Sequence, residues 1–481
     1  MRLQTWSLVV TSASFAPACG DSGGGDPSTT SGPSGTTSAA TPGTSGESDT
    51  AASTDPGAPT TSTSATSAPM DGTTDEPGTS NSSLPGPLCG NGVVDDGEAC
   101  DDGNQDGDDG CDVACLPTGV PLWTVVSEPS STILSVALDA AGNVFLAGYE
   151  DSEDEFYTDA IVRKLDADGN ELLAFSFTGV DQVDDYARAI AVGPDGSFYV
   201  AGEEGLLGFI GRGFIRKYDP AGQELWTYTQ MSDNPDSGIV RGRGLAVDGG
   251  TIAAVLVDEN ASSLAATAHV LALDPAGQLL WSDATPDALY AFDLALTHEG
   301  DIVVAGGQFS GEGDDHDGLA IKYSPAGQEL WRRTYLDQPG EDGKAYGLAV
   351  SAAGDIALVG EQFSEGGSGY DIWLARLDAA GTVVWAEVYE GVDGFDTGFA
   401  AAWRGDDIYV AGILYVEGEY DNRWVGRFAG GGSLVWTSSG DRANSNDGAF
   451  DIAASDAMIV AVGYESLDVY VNTQWIRAYQ P

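Results

Sequence analysis

The chain has 481 residues, with 75 Asp and Glu against 19 Lys and Arg and a net charge of −56. It lacks the basic footprint that nucleic acid demands, and acidic membrane surfaces repel it. Cations, basic proteins and neutral ligands such as glycans remain as partners, and the charge also keeps an exported chain soluble.

Residues 1–18 read as an export signal. Arg2 supplies a positive start, Leu8 to Ala18 is modestly apolar, and Ala16-Pro17-Ala18 precedes Cys19. This resembles a bacterial lipoprotein signal, with Ala16 where the family usually has Leu. The resemblance implies lipidation of Cys19 and a place in the cell envelope or on the cell surface. A secretory signal cut after Ala18 is the alternative. No run of ~18 apolar residues exists, so the membrane is reached only through the lipid.

Residues 19–87 are almost all Ser, Thr, Gly, Pro, Ala and Asp, with Met70 the one large apolar side chain before Leu84. Such a segment cannot offset its ordering entropy and is expected to be a disordered tether. Residues 88–116 contain CGNGVVDDGEACDDGNQDGDDGCDVAC, which resembles the Cys-rich repeat of myxobacterial surface proteins. Two disulfides among Cys89, Cys100, Cys111 and Cys115 would staple a module too small for a core, and three pairings are open. Asp102, Asn104, Asp106 and Asp108 place hard oxygens at alternate positions, with Gly107 sixth from Asp102, as in the first half of a calcium loop. Val113 stands where an EF-hand has its Glu. Calcium is the candidate cofactor, and a solvated acidic turn is the competing reading.

Residues 119–481 repeat. Each unit has four β-type runs, a to d. Strand d opens with Gly-x-x-x-Trp at Gly119/Trp123, Gly222/Trp226, Gly277/Trp281, Gly327/Trp331, Gly381/Trp385 and Gly432/Trp436, and Gly169 is followed by Leu173. Each Trp offers a large surface to wedge between sheets. Strand a carries Ala137, Ala191, Ala246, Ala295, Ala349, Ala402 and Ala453, where crowding near an axis would favour a small side chain. Strand b tends to end in Gly, with Leu256 in the third unit. The last strand c ends at Tyr479, so the seventh unit lacks a strand d, and Leu122–Val125 supplies one. The expected fold is an all-β, seven-bladed propeller of four-stranded blades, closed by its two ends and therefore free of exposed edges. The units resemble the bacterial β-propeller repeat family, and their Gly-x-x-x-Trp element resembles the tryptophan-docking motif of quinoprotein propellers.

Long acidic b–c and d–a loops share one face, among them Glu150–Tyr157, Asp181–Tyr186, Asp233–Ser237, Ser310–Asp317, Asp337–Gly343, Asp393–Thr397 and Val416–Asp421. A ligand site is expected there, on variable loops held by a rigid frame. Lys164, Lys217, Lys322, Arg376 and Arg427 recur at one position of strand c and are expected to pair with strand-d acids such as Glu171, Glu224 and Glu329. Of His269, His298 and His316, the last lies within Asp314–Asp317 and is either a cation ligand or merely exposed. No nucleophile elbow, zinc-protease motif, P-loop or dinucleotide fingerprint occurs. The expected function is a monomeric, non-enzymatic binding or scaffold module for a protein, glycan or cation. The alternative is a propeller enzyme, either a hydrolase or lyase or a quinoprotein-like dehydrogenase.

Overall fold

The computed structural model describes residues 90–94, 98–101, 103, 110–111 and 115–481. The last span is interrupted at 153–156, 180, 182, 208–209, 233–237, 261–265, 286–288, 310–315, 337–341, 364–368, 390–393, 417–419, 441–445 and 469–470. The signal, Cys19, the tether, Cys89 and the calcium candidates Asp102, Asn104, Asp106 and Asp108 lie outside the described residues.

The described residues form an all-β, propeller-like array of four-stranded antiparallel meanders. Strands a run over Ser131–Leu138, Asp185–Val192, Gly238–Val247, Leu289–Leu296, Gly343–Val350, Thr397–Arg404 and Gly448–Ala454. Five sheets have four strands. The second and third meanders join into one eight-stranded sheet through a single parallel pair, Ile239 with Gly211. Pro121–Pro129 pairs antiparallel with Val471–Tyr479, aligning Trp123 with Ala478 and Val125 with Ile476. Each strand a lies beside the strand a of the next unit, and Gly448–Ala454 lies beside Ser131–Leu138.

Burial explains the sequence of each strand. Strands b such as Val144–Asp151 and Ile302–Phe309 are buried on both faces and read as continuous apolar runs. Strands d, such as Glu224–Met231, alternate exposed and half-buried side chains, as outer strands should. The core divides into clusters shared by adjacent units. One combines Ile133, Leu146 and Ile161 of the first with Val460, Val462 and Ile476 of the last. Strand-a alanines sit in these inter-unit clusters. Ala137 packs with Phe198 and Phe214 of the second unit, and Ala453 packs with Ile133 of the first.

The turns repeat one geometry. Asp219 Oδ1 accepts from Ala221 N and Gln223 N at 2.9 Å each, and Gly222 N donates to Asp219 O with φ at 84°. Pro220 presets the turn and Gly222 tolerates its left-handed backbone. Gly222 meets Leu173 of the preceding unit, and the equivalent glycines of other units meet an indole there. A Cβ on Gly327 would lie 2.6 Å from Trp281, whose Nε1 donates to Pro325 O at 2.9 Å. Trp123, Trp226, Trp331 and Trp385 reach Ala167, Pro275, Ala379 and Gly430 in the same way, at 2.8 to 3.3 Å. Trp436 is buried against Gly119.

The strand-c cations pair differently from the expectation. Lys322 meets Asp301 at 3.0 Å, Arg376 meets Asp355 at 2.5 Å and Arg427 meets Asp407 at 2.6 Å, all at the start of strand b. Asn143 and Ser197 replace that Asp in the first two units. There Lys164 and Lys217 lie over the rings of Phe145 and Tyr199, at 4.6 and 5.1 Å. Register is the cause, because it sets Trp226 and Trp331, not glutamate, opposite Lys217 and Lys322 on strand d. Glu171, Glu224 and Glu329 instead face Arg163, Arg216 and Arg332.

In the Cys-rich module, Cys100 and Cys111 form a disulfide and Cys115 is buried. Asp101 organises the segment, accepting from the backbone N of Gly90, Asn91, Gly92 and Gly103 at 2.7 to 3.1 Å. Those four bonds outweigh desolvation and hold its carboxyl below the usual range.

Candidate functional site

Much of the acidic loop face lies outside the described residues, but several of its carboxylates do not. Asp185, Asp396 and Asp447 are fully buried. Asp185 accepts from Gly179 N at 2.5 Å and Gly205 N at 3.0 Å, Asp396 from Tyr415 N at 2.7 Å, and Asp447 from Ser466 N at 2.8 Å. Asp342 accepts from His316 N at 2.8 Å and Tyr370 Oη at 2.5 Å. Burial pushes Asp185 up to about 6 against its backbone donors. Asp185, Asp396 and Asp447 are neither solvated nor open to a ligand, because they satisfy amides where the d–a loop meets strand b. Asp185, Asp396 and Asp447 each stand six residues before the strand-a alanine, a signal that the repeat itself carried.

The feature that sequence reasoning missed is a row of bulged residues on strands a, termed the collar. Every strand a bulges at one position, where the register against strand b slips. The bulged residues are Leu134, Arg188, Arg243, Phe292, Tyr346, Phe399 and Phe450. A bulge re-aims the side chain of the extra residue. Here it brings side chains of consecutive units together: Phe292–Tyr346 at 4.7 Å, Tyr346–Phe399 at 5.8 Å and Phe399–Phe450 at 5.6 Å between ring centroids. Tyr464 extends this arc at 5.3 Å from Phe450, and Tyr149 and Tyr186 stack edge-on at 5.0 Å. Strand-b glycines leave room for the backbone beside the bulge, since a Cβ on Gly360 would lie 1.7 Å from Lys344 O, while in the third unit Leu256 stands opposite Gly242.

The second and third units break the aromatic arc with charge. Arg188 grips Glu203 through two bonds of 2.5 Å, from Nε and Nη2. Arg241 lies 3.4 Å from Glu203 and also contacts Glu259, and Arg243 Nη2 donates to Glu259 Oε1 at 2.9 Å. Arg188 also covers the Tyr186 ring at 4.8 Å. Burial and repulsion from Arg188 and Arg241 push Arg243 down to about 9, against the pull of Glu203. Tyr346 Oη and Thr397 Oγ1 donate to Glu361, and Lys344 lies 3.7 Å from it.

In three units the residue after the bulge ties units together. Ser135 Oγ accepts from Ile190 N at 3.2 Å, Asp293 Oδ2 from Leu348 N at 3.0 Å and Asp451 Oδ2 from Val136 N at 2.8 Å. Burial raises Asp293 to about 7 and Asp451 to about 6. Each also accepts from the following amide, at Leu294 and Ile452, so both oxygens are held.

A cavity of about 520 Å³ opens at the opposite end of strands a, among the a–b turns of the first three units. Its Asp139, Asp195 and Asp248 already accept turn amides. His298 is exposed in an a–b turn. His316 is buried against Phe309 at 4.3 Å, not exposed. Among the described residues, no group of three His, Cys, Asp or Glu side chains could hold a metal.

The chain matches no protein-family model and no curated protein. It is similar in structure to the β-propeller domain of the Trilobed protease from Pyrococcus furiosus, at 11% identity and a TM-score of 0.42, covering 75% of this chain and 96% of that one. A Pyrococcus horikoshii acylaminoacyl peptidase is matched at 11% identity and a TM-score of 0.41, over 71% of this chain and 49% of that one. A Bacteroides caccae protein of unknown function is matched at 12% identity and a TM-score of 0.37, over 65% and 94%.

Proposed function

We propose that residues 119–481 are a closed seven-bladed propeller and that the chain is an exported, surface-tethered binding module. Pairing of Pro121–Pro129 with Val471–Tyr479, and the contact of the last strand a with the first, support the closed ring. The observation that carries the binding reading is the collar. At one repeat-equivalent position the side chain is Leu134, Arg188, Arg243, Phe292, Tyr346, Phe399 or Phe450, while the alanine three residues later never changes. Structural need is common to all units, so it explains the alanine and leaves the collar to a ligand. Capture from cell-surface extracts by the whole chain, repeated with collar variants, tests this. Binding that survives substitution of Arg243 and Phe292 together would overturn it. Calcium at Asp102, Asn104, Asp106 and Asp108 belongs to the same reading, and a chelator should then lower the melting temperature.

Asp293 and Asp451 favour a second reading, a hydrolase or lyase, because their raised carboxyls suit proton transfer. Their four engaged oxygens count against it.

A further inference from the structure

We infer that the ligand of the collar is an oxyanion, carboxylate or sulfate, carried on a ring: the anion sits at Arg188, Arg241 and Arg243 while the ring lies against the half-buried Phe292. This rests on the binding reading above and specifies its ligand class.

Three observations converge. The first is charge. Three guanidinium groups share two carboxylates, Glu203 and Glu259, so the cluster carries one excess positive charge in a chain of net −56. A purely structural network would gain nothing from the third arginine, because like charges brought together out of water repel.

The second is unused donor capacity. A guanidinium has five N–H donors in a planar fork. Among the described residues, Arg243 spends one of them, on Glu259. Its side chain keeps 15% exposure, and Arg188 keeps 12%. Arg243 occupies the bulge, the position that brings its counterparts Phe292 and Tyr346 into ring contact. The repulsion that depresses Arg243 is relieved when an oxyanion takes its free N–H groups, and a planar carboxylate or sulfate fits the fork.

The third is the neighbour in the collar. Phe292 follows Arg243 in the next unit, and the arc continues through Tyr346, Phe399, Phe450 and Tyr464. Tyr346 and Phe399 are buried and back the half-buried Phe292, whose strand lies next to that of Arg243. A ring there and a cationic fork on the next strand complement a molecule with an anionic group at one end and a ring at the other. The ring can be a sugar or an aryl group, and the shared chemistry is the ring-borne anion.

Isothermal titration of the full chain with glucuronate, benzoate, glucose and inorganic sulfate tests this. Saturable binding of glucuronate, of benzoate or of both is expected, and which of the two binds identifies the ring. Sulfate should bind more weakly, and glucose should give no saturable heat. Arg243→Gln should weaken the ring-borne anion by about tenfold, while Arg243→Lys retains part of the affinity. Phe292→Ala should weaken the ring-borne anion and leave sulfate unchanged. Raised salt should weaken every binding probe, which reads the charge without any variant. Glucose binding as tightly as glucuronate, no saturable binding of either organic anion, or anion binding untouched by Arg243→Gln each overturns the inference. If cell-surface capture still depends on the collar after such a result, the binding reading stands and only the ligand class falls.

Discussion

The c–d turns and the collar both occur once per unit, and they behave oppositely. At the turns, glycine meets the preceding indole in unit after unit, as at Gly169, Gly277, Gly327, Gly381 and Gly432. Leu173 against Gly222 is the one exception among them. At the collar, one backbone bulge is shared and its side chain is not. A contact that every unit needs in order to pack against its neighbour is uniform. A surface that several units build together has no reason to be. Sequence uniformity therefore marks structure in this protein, and departures at a geometrically constant position mark candidate function.

The sharpest way to break the uniform side is to delete residues 119–127. This removes Trp123, the strand paired with Val471–Tyr479, and Gly119 beneath Trp436. If the ring is closed, the loss is on the order of the whole stability of a domain, roughly 5–15 kcal/mol. Calorimetry should show no single cooperative melt, and an unchanged melt would mean that residues 119–127 are only a linker.

A change of pH acts on the collar's staples. Asp293 and Asp451 are raised from 3.8 to about 7 and about 6. Their folded environment favours the protonated form. That stabilisation is complete below pH 3.8 and is lost as pH rises through about 6 and about 7. Asp293 alone sets an upper limit of roughly 4 kcal/mol. Denaturant midpoints should fall between pH 5 and pH 8, and should do so less in Asp293→Ala, which lacks the titrating group.

Trp281→Ala removes one turn contact, the bond to Pro325 O and the cover of Gly327. The indole is half-buried, so a loss of roughly 3 kcal/mol is expected in chemical denaturation. The equivalent Trp226→Ala should cost about the same, which tests the claimed uniformity. Arg243→Gln should be the mildest, within about 1 kcal/mol, because Arg241 keeps Glu259 paired. A large loss there would turn the collar arginines into structural groups and erase the contrast between the two regions.

Much of the frame was legible in advance. The Gly-x-x-x-Trp spacing, the turn chemistry of Asp219–Gly222 and the spare strand at Leu122 follow from local rules, and the structure places them as those rules require. The cation pairing was misread because Lys322 and Glu329 are near in sequence while register sets Lys322 opposite Trp331. The acidic loop face was partly misread because Asp185, Asp396 and Asp447 look like surface charge until burial is known. The collar was overlooked although its positions stand at a constant three residues before the strand-a alanine. A single strand shows only alternation, and a bulge hides that alternation.

The sequence by itself determined the repeat, the strand order within each unit and the turns, because these depend on residues a few positions apart. Only the tertiary structure decided which carboxylates are buried, which acid each cation meets, and that the strands carrying Arg188, Arg243 and Phe292 lie side by side. Those residues are about fifty positions apart in the chain and become neighbours when strands a gather side by side, a relation that no local pattern encodes.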